Sequence, residues 1–496
     1  MQKLYPRLVA ALRSKIFFMI TLLVFVFSSG WLAFSAIYPM AFDENYHLNL
    51  IKMHAHMLTP WFTHQLAGPA PYGAITRDPS YLYHYLMSFP YRLLQAMHTS
   101  FRVEVVSLRL INILLFVWGL ILLRRLLLKT RASSAVINVA LLFFVLTPVV
   151  PLLAAHINYD NLQFPLVIWL LLLCLEFREQ LFKKHRIDLP TLALLISIAL
   201  LGSLVVFTFL PFLAAVAVYV LYLLIVAVRN RRIKWRRRLS TGWKSLSSSK
   251  RYGLGALLIL SVVMFSAMYG VNIIKYHNPI PQCGQVLGPS RCASYPPWNR
   301  NNQAALHNPG VNPNPVIYSA SWLGGMFDRL FFTINGTSMA DNNANFLAPV
   351  MSVTAVIVGA FGVILLIRYA RRLVKADAPL VFLIFVTLVY VASVWGRNYH
   401  DYIHLGKIVA VNGRYLITIL PIIYVVVAMA YQEFWGTRRG WQLGFLVLSF
   451  VLFMQGGGIT GFIHYSNANW YWPDDPLVLK LNQRAKQIVN PFFFPK

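Results

Sequence analysis

The stretch IFFMITLLVFVFSSGWLAFSAIY (Ile16–Tyr38) runs almost directly into AFDENYH (Ala41–His47). The first segment is apolar and long enough to cross a hydrocarbon core of about 30 Å. Lys3, Arg7, Arg13 and Lys15 precede it with no acid, so the positive-inside rule puts the N-terminus in the cytoplasm. The span is long and no small-residue cleavage site follows, which reads as a retained signal anchor. Asp43 and Glu44 then emerge at its outer mouth. Carboxylates at a membrane boundary are costly to hold, which favours a functional reading. An aspartate there also suits the N-cap of the next helix.

The rest of the chain repeats the pattern of span and basic cluster. It is 58% hydrophobic and 12% charged, with 44 Lys and Arg against 15 Asp and Glu. A soluble domain carries about 25% charged residues. The basic residues fall in short clusters between apolar runs, which fits membrane orientation better than nucleic-acid binding. Spans are expected at 105–123, 135–153, 162–175, 189–207, 210–228, 253–269, 347–367, 380–395, 415–431 and 443–456. With the first, these make an all-α integral membrane protein of about eleven transmembrane helices. The inner segments hold 28 of the 44 Lys and Arg, and ten of the 15 acids fall outside.

The expected organisation is one polytopic domain over 1–456 and an outer C-terminal tail over 457–496. Residues 39–103 form a first outer loop with two amphipathic interfacial helices, one after Asp43 and one from Tyr81 to Met97. Residues 229–252 form a basic cytoplasmic loop, suited to anionic lipid. Residues 271–346 form a second outer loop, ending in a glycosylation acceptor pattern at Asn335-Gly336-Thr337. Cys283 and Cys292 share that loop and can pair in an oxidising compartment. Cys174 lies in an apolar run and reads as an inert core residue. There is no Gly-rich phosphate loop.

Three polar constellations stand out. The first is Asp43 with Glu44. The second is the turn His156 to Asn161, with Asn158 and Asp160. The third is Arg397, His400, Asp401, His404 and Lys407, leading to Arg414 at the entrance of a span. A guanidinium at that depth wants an anion, and a lipid phosphate is a natural partner. Snorkelling to headgroups, or pairing with Asp401 or Asp160, is the plainer use. His47 and His54 share a helix face with Glu44, a spacing that suits a metal. Interfacial hydrogen bonding is the commoner role of such histidines, and no metal or other cofactor is expected.

Phe42-Asp43-Glu44, Asp78-Pro79-Ser80-Tyr81-Leu82-Tyr83, Leu108-Arg109-Leu110, Asn158-Tyr159-Asp160-Asn161-Leu162 and Asn412-Gly413-Arg414-Tyr415 occur in that order. Together they resemble the GT-C superfamily of membrane glycosyltransferases that use polyprenyl-phosphate sugars. The Phe-Asp-Glu start looks like protein O-mannosyltransferases. The Gly-Arg-Tyr segment and the Cys283–Cys292 loop look closer to a bacterial group of predicted GT-C membrane proteins. No Asp-X-Asp motif occurs in the first outer loop, unlike the metal-dependent oligosaccharyltransferase branch.

The resemblance implies an inverting glycosyltransferase on the outer face of a multi-pass membrane, with a bacterial plasma membrane favoured. Asp43 would be the general base, and Glu44 would orient the site or bind acceptor hydroxyls. Arg414, then Lys407 and Arg397, would hold the donor phosphate. Asn158, Asp160, His47, His400 and His404 would bind sugar or acceptor or support the loops. The partners would be a polyprenyl-phosphate sugar, a glycan, lipid or protein acceptor, and membrane lipids, with no nucleic acid. The competing readings are a transporter or flippase of lipid-linked sugars, a polymerase or ligase of lipid-linked glycans, and an envelope scaffold. A transporter would want charges deep in its spans or broken helices in paired halves.

Overall fold

The structure is a computed structural model that describes residues 4–40, 43–183, 187–229, 243, 246–308, 310–331, 349–375, 377–456, 458–473 and 475–493. Most of the basic loop 229–252, the Asn335 acceptor pattern and residues 41 and 42 lie outside the described residues. The chain is all-helical, and its one bridge of strand type joins Ala36 to Tyr471 among the described residues.

The first half comprises α1 (Leu4–Arg13), α2 (Lys15–Ser35), α3 (Glu44–Ala55), α4 (Leu82–Ala96), α5 (Phe101–Leu127), α6 (Ser134–Leu146), α7 (Val149–Ala154), α8 (Asp160–Lys183), α9 (Leu189–Val205) and α10 (Leu210–Arg229). Next come α11 (Ser248–Phe265), then α12 (Cys283–Leu287), α13 (Pro289–Cys292), α14 (Pro296–Leu306) and α15 (Pro315–Phe331). The chain ends with α16 (Pro349–Val374), α17 (Ala378–Leu405), α18 (Leu420–Trp435), α19 (Arg439–Gly456), α20 (Gly458–Tyr465) and α21 (Pro476–Phe493).

Among the described residues, seven helices are long and apolar enough to cross a membrane, and the bent pair Arg439–Met454 and Ile459–Tyr465 would make an eighth. Three further apolar helices, α6, α9 and α18, are shorter. The chain is a multi-pass membrane protein. Its outward surface suits lipid: Ile16, Ile20, Leu23 and Phe27 on α2 are exposed, while Phe18, Leu22 and Phe25 face the core.

Local chemistry sets the helix ends. Ser14 caps α2 by accepting from Phe17 N at 3.0 Å. Asp377 caps α17 at Leu380 N (3.1 Å) and also accepts from Arg131 N (2.8 Å), tying two loops together. α5 packs along α8 in the centre, and α2 lies against α5 and α6.

Several expected spans have different bounds: the one expected at 162–175 runs Asp160–Lys183 and the one expected at 253–269 runs Ser248–Tyr276, and two others change more. The apolar run 135–153 is broken at Pro148 into α6 and the short α7, because proline cannot continue the amide ladder. The span expected to stop at Trp395 runs on to Leu405, so Arg397, His400 and His404 ride on helix rather than loop. The tail also folds back: Asn482 on α21 donates to Ser35 Oγ (3.1 Å) and accepts from Trp31 Nε1 (2.9 Å).

One end of the bundle is basic. There Arg124 meets Asn138, which also donates to the carbonyls of Leu12 and Ser14. Lys129 and Lys183 share Glu179, and Arg439 lies over the Tyr5 ring. The polar constellations of Asp43, Asp160 and Arg414 gather elsewhere, where the C-terminal end of α2 meets the N-terminal end of α8.

Candidate active site

Glu44 and Arg109 are the knot that builds the site. Arg109 Nε donates to Glu44 Oε1 and Nη2 to Oε2, each at 2.8 Å, in a bidentate pair. Its remaining donors reach the carbonyls of Ala33, Ala36 and Ile37. Glu44 also accepts from Met40 N (2.8 Å) and Ile157 N (3.2 Å). Both side chains are buried. Burial alone would raise the Glu44 pKa, but the Arg109 charge and these hydrogen bonds outweigh it and hold the carboxyl below its ordinary value.

Glu44 was expected to orient the site or to bind acceptor hydroxyls. Its oxygens are spent on Arg109 and two backbone amides, and it is sealed from solvent. It joins the end of α2, the start of α3, α5 and the turn before α8. Arg109 appears in the motif Leu108-Arg109-Leu110, yet its role was not legible there. Nothing local shows that a cation inside an apolar run is the partner of an acid 65 residues earlier.

Asp43 is what the knot presents. It occupies the N-cap position of α3 in the left-handed region (φ 65°, ψ 27°), and its side chain makes no capping hydrogen bond. Aspartate is among the few non-glycine residues that enter this region readily. The carboxylate is 68% exposed and lies 3.3 Å from Arg414 Nη2. The cap reading of this residue therefore fails on its side chain: the carboxylate faces out of the helix toward a guanidinium.

Arg414 sits on the 3₁₀ turn Gly413–Leu416, which leads into α18. Asn412 Oδ1 accepts from Arg414 N (3.0 Å), and Tyr390 OH donates to Tyr415 O (2.8 Å). Gly413 is required by contact: a Cβ there would come within 2.8 Å of Leu330 N on α15. Burial disfavours the Arg414 charge, but Tyr415, Asp160, Tyr159 and Asp43 around it prevail and raise its pKa. The guanidinium stays charged while only 8% exposed.

Asp160 and Asn158 belong to the same place. Asn158 Oδ1 accepts from Asp160 N at 2.9 Å, which shapes the turn. Asp160 Oδ2 is buried with no hydrogen-bond partner among the described residues. Asn161 pins the turn through Asn112 Oδ1 and the carbonyls of Leu153 and His156.

His47 follows Asp43 by one helical turn. Its Nδ1 is 2.9 Å from His84 Nε2, and its ring meets Tyr159 edge-on at 4.5 Å. His54 instead packs on Phe62 (4.4 Å), and no group of three His, Cys, Asp or Glu placed to hold a metal occurs among the described residues. Arg397 and His400 engage Asp401, the His400 and His404 rings stack at 4.0 Å, and Lys407 is exposed. Of the expected phosphate ligands, Arg414 is the one found against Asp43.

Cys283 and Cys292 form a disulfide (Cα–Cα 5.9 Å). The lobe it closes docks on the first loop: Arg291 Nε donates to Gly68 O (2.9 Å) and Arg291 O accepts from Ala70 N (3.1 Å). It brings Tyr295 within 6.5 Å of Tyr46 on α3. Tyr46 lies in the stretch Ala41–His47, but nothing in the sequence pairs it with Tyr295.

A cavity of about 1520 Å³ opens beside this site, between α1, α6, α15, α16, α18 and α19. Its wall is mostly apolar. Leu330 and Leu416, which flank the Gly413-Arg414 turn, line it, as do Tyr5 and Arg439 from the basic end.

No protein-family model matches the chain, and no curated protein matches it. Among solved structures it is similar to the archaeal oligosaccharyltransferase AglB from Archaeoglobus fulgidus, in complex with an inhibitory peptide and a dolichol-phosphate. The identity is 13% and the TM-score 0.44; the match covers 95% of this chain and 60% of the other. The chain thus spans less than two thirds of the length of that protein.

Proposed function

We propose that this protein is an inverting, GT-C-like glycosyltransferase that moves a sugar from a polyprenyl-phosphate donor to a hydroxyl acceptor on the outer face of the membrane. The observation that carries this reading is the Asp43 carboxylate: free of any cap, exposed and facing the buried Arg414 at 3.3 Å. A carboxylate so placed accepts a proton, and a guanidinium so placed binds a phosphate.

The acceptor hydroxyl gives its proton to Asp43 as its oxygen attacks the anomeric carbon. The bond from that carbon to the phosphate oxygen breaks, and its electron pair leaves with polyprenyl phosphate. Configuration inverts through a transition state of oxocarbenium character. Arg414 stabilises the charge growing on the phosphate, where a fixed cation in a water-poor site is worth most. When the phosphate binds, it competes with Asp43 for Arg414 and so frees the carboxylate for the proton. The apolar cavity beginning at Leu330 and Leu416 has the lining and size for the prenyl chain. The gathering of basic clusters at one end of the bundle supports a cytoplasmic position for that end.

The test is transfer by purified protein in lipid vesicles, given a polyprenyl-phosphate hexose and a panel of hydroxyl acceptors. Product from wild type and none from Asp43→Asn of equal thermal stability is the expected result. Equal transfer by both proteins would overturn the reading.

A further inference from the structure

His47 and His84 form a relay whose proton positions are fixed by one carbonyl. His84 Nδ1 lies 3.1 Å from Ser80 O, and a carbonyl only accepts, so His84 carries its proton on Nδ1. His84 Nε2 is then the acceptor in its 2.9 Å contact with His47 Nδ1, which must donate. The anchor is itself held: Asp78 Oδ1 accepts from Ser80 N (2.8 Å), and Ser80 Oγ accepts from Phe207 N (3.3 Å). Both rings are buried. Burial, the neighbouring histidines and Arg414 push the His47 pKa well below its ordinary value, so the ring is neutral. Its Nε2 therefore holds a lone pair, and it makes no hydrogen bond among the described residues.

His47 lies in the first turn of α3 and its N–H donates to the carbonyl of the N-cap Asp43 at 3.1 Å, and Arg414, which faces the Asp43 carboxylate at 3.3 Å, is also among the charges acting on His47. Both side chains offer hydrogen-bond acceptors, the Asp43 carboxylate oxygens and His47 Nε2. We propose that His47 Nε2 accepts a hydrogen bond from a second hydroxyl of the acceptor, beside the one that Asp43 deprotonates, and that the acceptor is accordingly a saccharide. A saccharide offers neighbouring hydroxyls, whereas a Ser or Thr side chain offers one. The aromatic rings nearby, Tyr46, Tyr159 and Tyr295, suit the apolar face of a sugar ring. A site built to hydrogen-bond a hydroxyl strongly rejects a partner that lacks it. The inference rests on the transferase reading above.

Two substitutions separate binding from support. His47→Asn keeps a donor near the Nδ1 position for His84 and removes the Nε2 acceptor. His47→Gln places an amide oxygen near the Nε2 position and loses the donor. The assay uses vesicles with a polyprenyl-phosphate hexose and either octyl hexosides or a Ser/Thr peptide, with Asp43→Asn alongside. The expected result is transfer to the hexoside, with kcat/KM about tenfold or more lower in His47→Asn, expressed in acceptor KM, and largely regained in His47→Gln. His47→Asn equal to wild type, or His47→Gln as impaired as His47→Asn or worse, would overturn the role of Nε2. Transfer to the peptide and not to the hexoside would overturn the saccharide assignment while the transferase reading stands. No transfer by wild type to either acceptor, or full transfer by Asp43→Asn, would remove the transferase reading and this inference with it.

Discussion

Arg109 Nη2 lies 2.8 Å from Glu44 Oε2, and neither side chain is exposed to solvent. A buried pair of this kind is a poor source of net stability but costly to break, because the surviving charge has no partner. Glu44→Gln and Arg109→Ala should each destabilise the protein by about 3–5 kcal/mol. Arg109→Lys should not rescue, since a lysine cannot supply the bidentate fork and the three carbonyl contacts. Thermal unfolding in detergent checks this. A change in Tm of a degree or less would mean that the knot is incidental.

Arg414 should be worth about 10²–10³ in transfer rate, the usual loss on removing one donor to a developing oxyanion. Arg414→Ala should show it, with Arg414→Lys intermediate. Arg397→Ala should lose less than about tenfold, because that side chain is largely exposed and engaged with Asp401, and exposed pairs contribute little. Steady-state kinetics on the three variants gives the ranking. A larger loss in Arg397→Ala would move the phosphate site away from Asp43.

Gly413→Ala is a sharper probe of geometry. The added Cβ would press on the Leu330 backbone and shift the turn that carries Arg414. A misplacement of about 1 Å near the chemistry costs on the order of 10²-fold in rate. Activity should fall far more than stability. An equal fall in both would mean that the turn is only structural.

How much of this was legible in the sequence follows from how local each signal is. The spans showed because apolar length is local. Their ends shifted where Pro148 broke one helix and where α17 carried its periodicity past Trp395. Asp43 was visible because a carboxylate just after a span is conspicuous. Its left-handed backbone and its lack of a capping hydrogen bond were not, because the turn they belong to is followed by Glu44, whose partners Arg109 and Ile157 lie far along the chain. Arg414 was visible as a cation at a span entrance, but its contact with Asp43 closes over 371 residues. The relay from Ser80 through His84 to His47 joins two helices, and no spacing rule marks it.

The buried histidines give stability a pH dependence of known sign. Burial chiefly, aided by Arg92 at His54 and by His54 at His84, lowers His54 to about 4 and His84 to about 3. Burial also lowers His156 to about 4, against the pull of Glu44. The unfolded chain therefore binds more protons than the folded one between about pH 6.5 and 4, and stability rises with pH across that window. It should be full above about pH 6.5 and fall by up to about 1.4 kcal/mol per pH unit for each such histidine below it. The depressed Glu44 adds a further loss only below its ordinary carboxylate range. Tm at pH 7.5 and pH 5.0 tests the sign, and His54→Gln should make the slope shallower. Burial raises the Asp78 carboxyl, which opposes this trend at the acid end, so the His54→Gln comparison decides: a pH slope unchanged in that variant would contradict neutral burial of the His54 ring.

The most direct test is mass spectrometry of lipid-linked sugars and envelope glycans in cells lacking the protein, rescued with wild type or Asp43→Asn. The expected result is a polyprenyl-phosphate sugar that accumulates, a glycan residue that disappears, and restoration of both by wild type only. General-base removal should lower turnover by about 10²–10⁴. Unchanged lipid-linked sugars, with every phenotype rescued by Asp43→Asn, would contradict the assignment of Asp43 as the base and of the protein as a transferase.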